Sequence, residues 1–155
     1  MATVNRFQDL RVWQSARDLV NQIYLQTNAG SFAKDFALRD QIRKAAISVM
    51  SNVAEGFDAG YDGEFVRFLS YSFRSTAEVQ SQLYIALDQG YLSQADFDLI
   101  LATTVDVRKK IRRLSAYLAE HKRAGFSARE TAIEYVVNSA TVELPDEFIS
   151  DQATN

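Results

Sequence analysis

The sequence predicts an all-α protein, an antiparallel up-down-up-down four-helix bundle with a C-terminal extension. Three observations lead there. Apolar residues recur at three- and four-residue steps along four long stretches, the spacing that lines one side of a helix. Residues 1–122 contain no proline, the sole one being Pro145, which favours long helices over strands and turns. Short glycine-bearing segments interrupt the pattern where connections are needed. A chain of 155 residues can bury one sizeable core, so we expect a bundle domain over 1–124 and an acidic extension over 125–155.

The first helix is expected over 7–27, with Phe7, Leu10, Trp13, Ala16, Val20 and Ile23 in phase and Val12 and Leu19 widening the stripe. Asn28, Gly30 and Ser31 end it. A second helix over 34–56 carries Leu38, Ile42, Ala45, Val49 and Val53, and Gly56 reads as its terminator at the head of the segment GFDAGYDG. The third, over 62–89, has the most regular seam: Phe65, Leu69, Ser72, Thr76, Val79, Leu83 and Ala86, a spacing suited to near-antiparallel packing. Gly90 closes it. Ser93, with Asp96 three residues later, is the expected N-cap of a fourth helix. That helix runs to 122 through Phe97, Leu101, Thr104, Val107, Ile111, Leu114 and Leu118. Beyond Gly125 the pattern weakens to a short amphipathic helix over 128–140 and a loosely held polar tail.

Composition narrows the function. The absence of cysteine removes disulfides and thiolate metal sites and fits a reducing cytoplasm. The opening MATVNRFQDLRVW lacks a basic leader followed by an apolar core, and no apolar run approaches the roughly 20 residues of a membrane span. A cytoplasmic protein without membrane contact is therefore expected. The net charge of −3 is unevenly spread: residues 125–155 hold six acids and one Arg, leaving −5 there and +2 over 1–124.

No catalytic constellation emerges. A carboxylate-bridged di-metal centre would need Glu-x-x-His pairs on facing helices, but the one histidine, His121, has Leu118 three residues before it. It reads as an exposed residue at a helix end. A Ser/His/Asp arrangement would have to use the same His, and the glycines at 56, 60 and 63 lack the Lys-Ser/Thr of a phosphate loop. Neither metal nor cofactor is expected, and the chain is not read as an enzyme.

Two groups of polar residues remain. In the second helix Gln41, Ser48 and Glu55 lie seven apart beside the seam, with Asn52 set into it. On the third, Arg67, Tyr71, Arg74, Glu78 and Gln82 form a second polar stripe. Glu55, in a last helical turn, faces an unfavourable dipole, and an Arg of that stripe would compensate it. Gln41, Ser48, Asn52, Glu55, Arg74 and Glu78 are thus read as a network that fixes helix register. The alternative is a pocket in which Glu55 and Glu78 serve acid/base chemistry. The other group is the basic run Arg108, Lys109, Lys110, Arg112 and Arg113, continued by Lys122 and Arg123. Arg108, Lys109, Arg112, Arg113, Lys122 and Arg123 are the candidate contacts to nucleic acid or another partner, against the plainer reading of a solvated face diluted by Asp106 and Glu120.

These residues resemble a known family, the small bacterial four-helix-bundle proteins encoded in intervening sequences of 23S ribosomal RNA genes. The match rests on Phe7, Leu10, Val12-Trp13, Ala16 and Ile23-Tyr24, then on Gln41-Ile42-Arg43, Ala45-Ala46, Ser48 and Asn52-Val53-Ala54-Glu55-Gly56. Glu78, Gln82-Leu83 and Gly90-Tyr91-Leu92 follow in the expected order. The resemblance covers residues 6–120 and implies an antiparallel bundle assembled as a cyclic homopentamer, without established enzymatic activity. The accessory variability proteins of diversity-generating retroelements are similar to this family and act as pentameric basic adaptors for a reverse transcriptase and RNA. This chain departs in its weakly charged body, in Phe73-Arg74 where the family more often has Arg-Gly, and in its acidic extension.

The leading expectation is a non-catalytic cyclic homo-oligomer, pentameric by that resemblance, that serves as an adaptor for RNA, DNA or a nucleic-acid-binding protein. A protein-interaction scaffold without nucleic-acid contact is the alternative, and a small-molecule enzyme using Glu55 and Glu78 comes last. Phe57, Tyr61, Phe73, Tyr84 and Tyr91 are the candidate aromatics for the subunit interface.

Overall fold

A computed structural model describes residues 4–120 together with Glu130 and Tyr135. His121, Lys122, Arg123 and the rest of the 125–155 extension lie outside the described residues. Four helices make up the body: α1 (Arg11–Thr27), α2 (Phe36–Asp58), α3 (Asp62–Asp88) and α4 (Gln94–Glu120), with 3-10 turns at Phe7–Asp9 and Phe32–Lys34. No strand occurs among the described residues.

Helix α1 starts four residues later than its apolar spacing suggests. Leu10 has extended backbone, φ −74° and ψ 126°, so Phe7–Asp9 forms a separate turn. Leu10 itself stays buried there, 2% exposed. Ser93 caps α4 as expected, its Oγ accepting from the Asp96 N–H at 3.1 Å while donating to the Asp96 carboxylate at 2.9 Å. Asp35 caps α2 through a 3.1 Å bond from the Leu38 N–H.

Neighbouring helices run antiparallel, as their paired residues show. Ser48 meets Ser75, whereas Val49 meets Ser72 and Gly56 meets Phe65. Tyr84 packs on Phe97 while Arg108 reaches back to Thr76. Each helix contacts the next, and α1 closes the ring against α4. The core falls into two layers along the bundle: Leu10, Val12, Val53, Phe57, Phe65, Leu69 and Leu114 at one end, and Leu19, Ile23, Phe32, Ile42, Leu83 and Phe97 at the other. Full burial of one such side chain contributes about 1.5–3 kcal/mol.

Gly56 does not end α2. It lies inside the helix, buried, and the helix continues to Asp58. A Cβ placed there would stand 2.8 Å from Phe65 Cδ2 and 2.8 Å from Phe68 Cβ, so this glycine permits the close approach of α3. The left-handed conformation that needs glycine occurs four residues on, at Gly60 with φ +96°. No helix among the described residues is long and apolar enough to cross a membrane.

Candidate nucleic-acid interface

Successive residues of a helix are about 100° apart around its axis, so the basic run on α4 is dealt to three directions. The seam residues Thr104, Val107, Ile111, Leu114 and Leu118 fill the interior. Arg108 and Arg112 turn towards α3, Lys110 turns towards α1, and Lys109 points outward.

On the α3 side both guanidinium groups lie over one ring. The Cζ of Arg108 is 4.0 Å and that of Arg112 is 4.9 Å from the Phe73 ring centroid, well within cation–π range. Arg108 is the anchored member, donating to Thr76 Oγ1 at 2.7 Å and more weakly to the Phe73 carbonyl at 3.4 Å. Burial, and after it the like charge of Arg112, holds the Arg108 guanidinium below its ordinary pKa. Arg112 and Lys109 are exposed. Among the described residues, ion pairs join Arg6 to Asp9, Arg39 to Asp40, Arg67 to Glu64 and Lys110 to Asp106; neither Lys109 nor Arg112 has a carboxylate partner.

On the α1 side the charge is spent internally. Lys110 Nζ donates to Asp106 and to Ser15 Oγ, both at 2.7 Å. Arg113 stands close to Tyr135, whose ring centroid lies 5.0 Å from that of Tyr117. Burial raises the Tyr135 pKa, and the nearby charges of Arg113 and Arg11 pull it the other way. Lys122 and Arg123 lie outside the described residues.

The polar group between α2 and α3 is narrower than the one expected from the spacing. Asn52 Nδ2 donates to Ser48 O at 2.8 Å and to Ser48 Oγ at 3.0 Å, and Ser48 Oγ lies 2.8 Å from Ser75 Oγ. Buried Ser72 donates to Val49 O at 2.7 Å. These short side chains tie the helices together at one level. Gln41, Glu55, Arg74 and Glu78 are exposed, and no hydrogen bond or ion pair joins them to Ser48 or Asn52 among the described residues. Arg74 instead sits 5.9 Å from the Tyr71 ring centroid. Glu55 and Glu78 are both exposed, and buried Ala45, Val49, Val53, Leu69 and Val79 fill the space where α2 meets α3.

Three contributors escaped the sequence reading: Phe73 as a shared platform, Thr76 as an anchor and Ser75 as a bridging hydroxyl. One signal for Thr76 was present, since it stands in the apolar seam of α3 and is fully buried. A buried hydroxyl demands partners. Among the interface aromatics expected, Tyr61 and Tyr84 are exposed, Phe73 and Tyr91 are partly buried, and Phe57 belongs to the core. No group of three or more His, Cys, Asp or Glu gathers as a metal site among the described residues.

Residues 8–113 match the family model described as 23S rRNA-intervening sequence protein. Among solved structures, a protein of unknown function from the S23 ribosomal protein family of Bacteroides thetaiotaomicron VPI-5482 superposes with a TM-score of 0.63 at 17% identity, covering 68% of this chain and 95% of that one. At that identity the likeness speaks for the helical fold. No curated protein matches the chain.

Proposed function

The chain belongs to the 23S rRNA-intervening sequence protein family, and on that premise we propose that it is a non-catalytic, homo-oligomeric adaptor that holds nucleic acid against the α3–α4 face. The observation that carries this reading is Phe73 beneath Arg108 and Arg112, with Arg112 and neighbouring Lys109 exposed and, among the described residues, free of carboxylate partners. Cations without partners, set beside an aromatic ring, suit a phosphate backbone and the bases attached to it. Arg108, anchored to Thr76, fixes the ring and leaves Arg112 as the exposed contact.

Assembly is supported by large apolar side chains left on the surface: Leu25 at 72% exposure, Phe36 at 64% and Leu99 at 58%, with Tyr84 and Ile85 close behind. All five belong to the end of the bundle where α1 and α3 finish and α2 and α4 begin. Burial of such a group between subunits is a common reason for its exposure in one chain. A cyclic pentamer would repeat the Lys109–Arg112 pair around an axis and multiply a modest charge.

RNA binding titrated against salt, with light scattering on the same samples, tests this. Affinity should fall steeply with salt, and the double substitution Lys109→Glu, Arg112→Glu should weaken binding and lower the log–log salt slope by about 2. Unchanged affinity in that variant would remove the α3–α4 face, and a monomer at micromolar concentration would remove the assembly.

A further inference from the structure

We infer that the depression beside Trp13, at the start of α1, is a binding site for a single nucleotide unit, with its base against the indole and its phosphate between Arg17 and Arg6. The depression has a volume of about 520 Å³ and is lined by Arg6, Gln8, Trp13, Gln14, Arg17 and Asp18. It is an open surface depression rather than an enclosed cavity, with room for one nucleotide unit laid against the indole.

Its chemistry is specific in three respects. Trp13 is held on one side by Phe7, ring centroids 5.2 Å apart and tilted by 59°, while it remains partly exposed to the depression. Its indole N–H makes no hydrogen bond among the described residues. Arg17 is exposed and has no carboxylate partner among the described residues; its Cζ lies 5.9 Å from the indole centroid, at the outer limit of cation–π range, so a stacked ring displaces it at little cost. Gln8 Oε1 is buried and has no hydrogen-bond partner among the described residues; a turn of the Gln8 amide about its last side-chain bond would present it to the depression that Gln8 lines, and such an acceptor favours a ligand that brings a donor. The backbone that carries it is fixed, because Gln14 Nε2 donates to Gln8 O at 3.0 Å.

A flat ring with N–H donors, joined to an anionic group, meets all three demands. The base stacks on Trp13 and offers an N–H to Gln8 Oε1, and the indole N–H, which lies in the ring plane, is left to the sugar or to solvent. The phosphate draws Arg17 from the ring edge and meets Arg6, which is 70% exposed at its side chain and paired only loosely with Asp9 at 3.3 Å. Asp18 disfavours a more highly charged polyphosphate on its side of the depression. Trp13 and Arg17 lie on α1, apart from Phe73 and Arg112, so this site does not depend on the α3–α4 reading.

Trp13 is the sole tryptophan of the chain, which makes it a private reporter. Its fluorescence, excited at the red edge where tyrosine does not absorb, is followed as adenosine monophosphate or a short single-stranded oligonucleotide is added to the full chain, with free tryptophan amide as the absorbance control. Saturable quenching by both ligands supports the site and identifies a free nucleotide as sufficient. Quenching by the oligonucleotide alone supports it with a strand as the source. The double substitution Arg6→Ala, Arg17→Ala alters only exposed side chains and should weaken the quenching at least tenfold, whereas Lys109→Glu, Arg112→Glu should leave the mononucleotide response intact. Absence of quenching with either ligand, or quenching unaffected by loss of the two arginines, overturns the inference.

Discussion

Gly56→Ala is the sharpest test of how α2 and α3 are joined. On helix propensity alone the substitution should stabilise the chain by about 1 kcal/mol, since glycine inside a helix is that much worse than alanine. The packing opposes this. The new methyl would lie 2.8 Å from Phe65 Cδ2, 2.8 Å from Phe68 Cβ and 3.3 Å from the Phe65 carbonyl oxygen. Phe65 can swing its ring, but a Cβ and a carbonyl oxygen move only with the backbone of α3. Overpacking of this kind costs about 1–3 kcal/mol; two of the three contacts are rigid, which places the cost in the upper part of that range, about 2–3 kcal/mol, and leaves a net loss of about 1–2 kcal/mol after the propensity gain. At about 4 °C per kcal/mol for a domain of this size, the thermal midpoint should fall by about 4–8 °C at fixed protein concentration. Gly63→Ala is the control. Its methyl would meet only the exposed Tyr61 ring, at 3.3 and 3.6 Å, and its stability should hold or rise. A Gly56→Ala protein as stable as the parent, or more so, would refute close approach as the reason for this glycine.

Further outcomes follow from other contacts. Arg43 closes the end of α1, donating to Thr27 Oγ1 at 2.8 Å, Thr27 O at 3.1 Å and Asn28 Oδ1 at 2.9 Å while lying 4.5 Å above the Tyr24 ring. Arg43→Ala should cost about 1.5–3 kcal/mol in urea unfolding, and Arg43→Lys should recover little of it because an ammonium cannot reproduce the planar fork. Asp35→Ala removes the α2 cap and should cost about 0.5–2 kcal/mol by the same measurement. The Tyr91 hydroxyl donates to Asp35 at 3.0 Å, and that bond is the main cause of a Tyr91 pKa above the ordinary 10.0. A pKa raised in the folded state gives a contribution complete below pH 10 and lost as pH climbs through the raised value. Alkaline unfolding should therefore be less steep in Tyr91→Phe than in the parent. Arg108→Ala should lower stability by about 0.5–1.5 kcal/mol, because the Thr76 oxygen loses the guanidinium donor while its hydroxyl keeps its bond to the Phe73 carbonyl, whereas Arg112→Ala should stay within about 0.5 kcal/mol; a larger effect from Arg112→Ala than from Arg108→Ala in thermal scans would contradict the anchored and free roles given to them.

Periodicity exposed the seams of α2 and α3 completely and that of α1 only in part, where Phe7, Trp13 and Val20 are partly buried and the buried face runs through Val12, Ala16, Leu19 and Ile23. Leu38, Ile42, Ala45, Val49 and Val53 are all buried, as is every seam residue from Phe65 to Ala86, because a step of three or four residues returns the chain to the same side of the helix. On α4 the phase slips once: Ile100 is buried while Leu101 is only partly so, two adjacent apolar residues being interchangeable to a spacing argument. Depth was harder to read than direction. Gln41, Ser48 and Glu55 share a seven-residue spacing, yet only Ser48 enters the α2–α3 contact. A seven-residue step drifts about 20° around a straight helix, and long side chains at the rim escape to water. The same limitation hid the division of the basic run, since a string of cations carries no sign of which neighbour each will face. Phe73 could not be identified as their platform because its partners lie 35 and 39 residues away in the chain. Glycine serves both termination and close approach, and only the neighbouring helix shows which of the two Gly56 performs.

The connection between α2 and α3 spans residues 59–61, and these two helices share the most extensive interface of the bundle. Its consequence is kinetic. A three-residue link costs little closure entropy, so the α2–α3 hairpin can assemble before the chain ends are in place, with Val49, Val53, Phe65 and Leu69 as its first apolar cluster. Substitutions there should slow refolding, whereas truncations in the α1 seam, such as Leu19→Ala, should act mainly on the unfolding rate. With contacts this local, refolding should reach the microsecond-to-millisecond range of helical bundles, and any subunit assembly would then follow as a slower, concentration-dependent step.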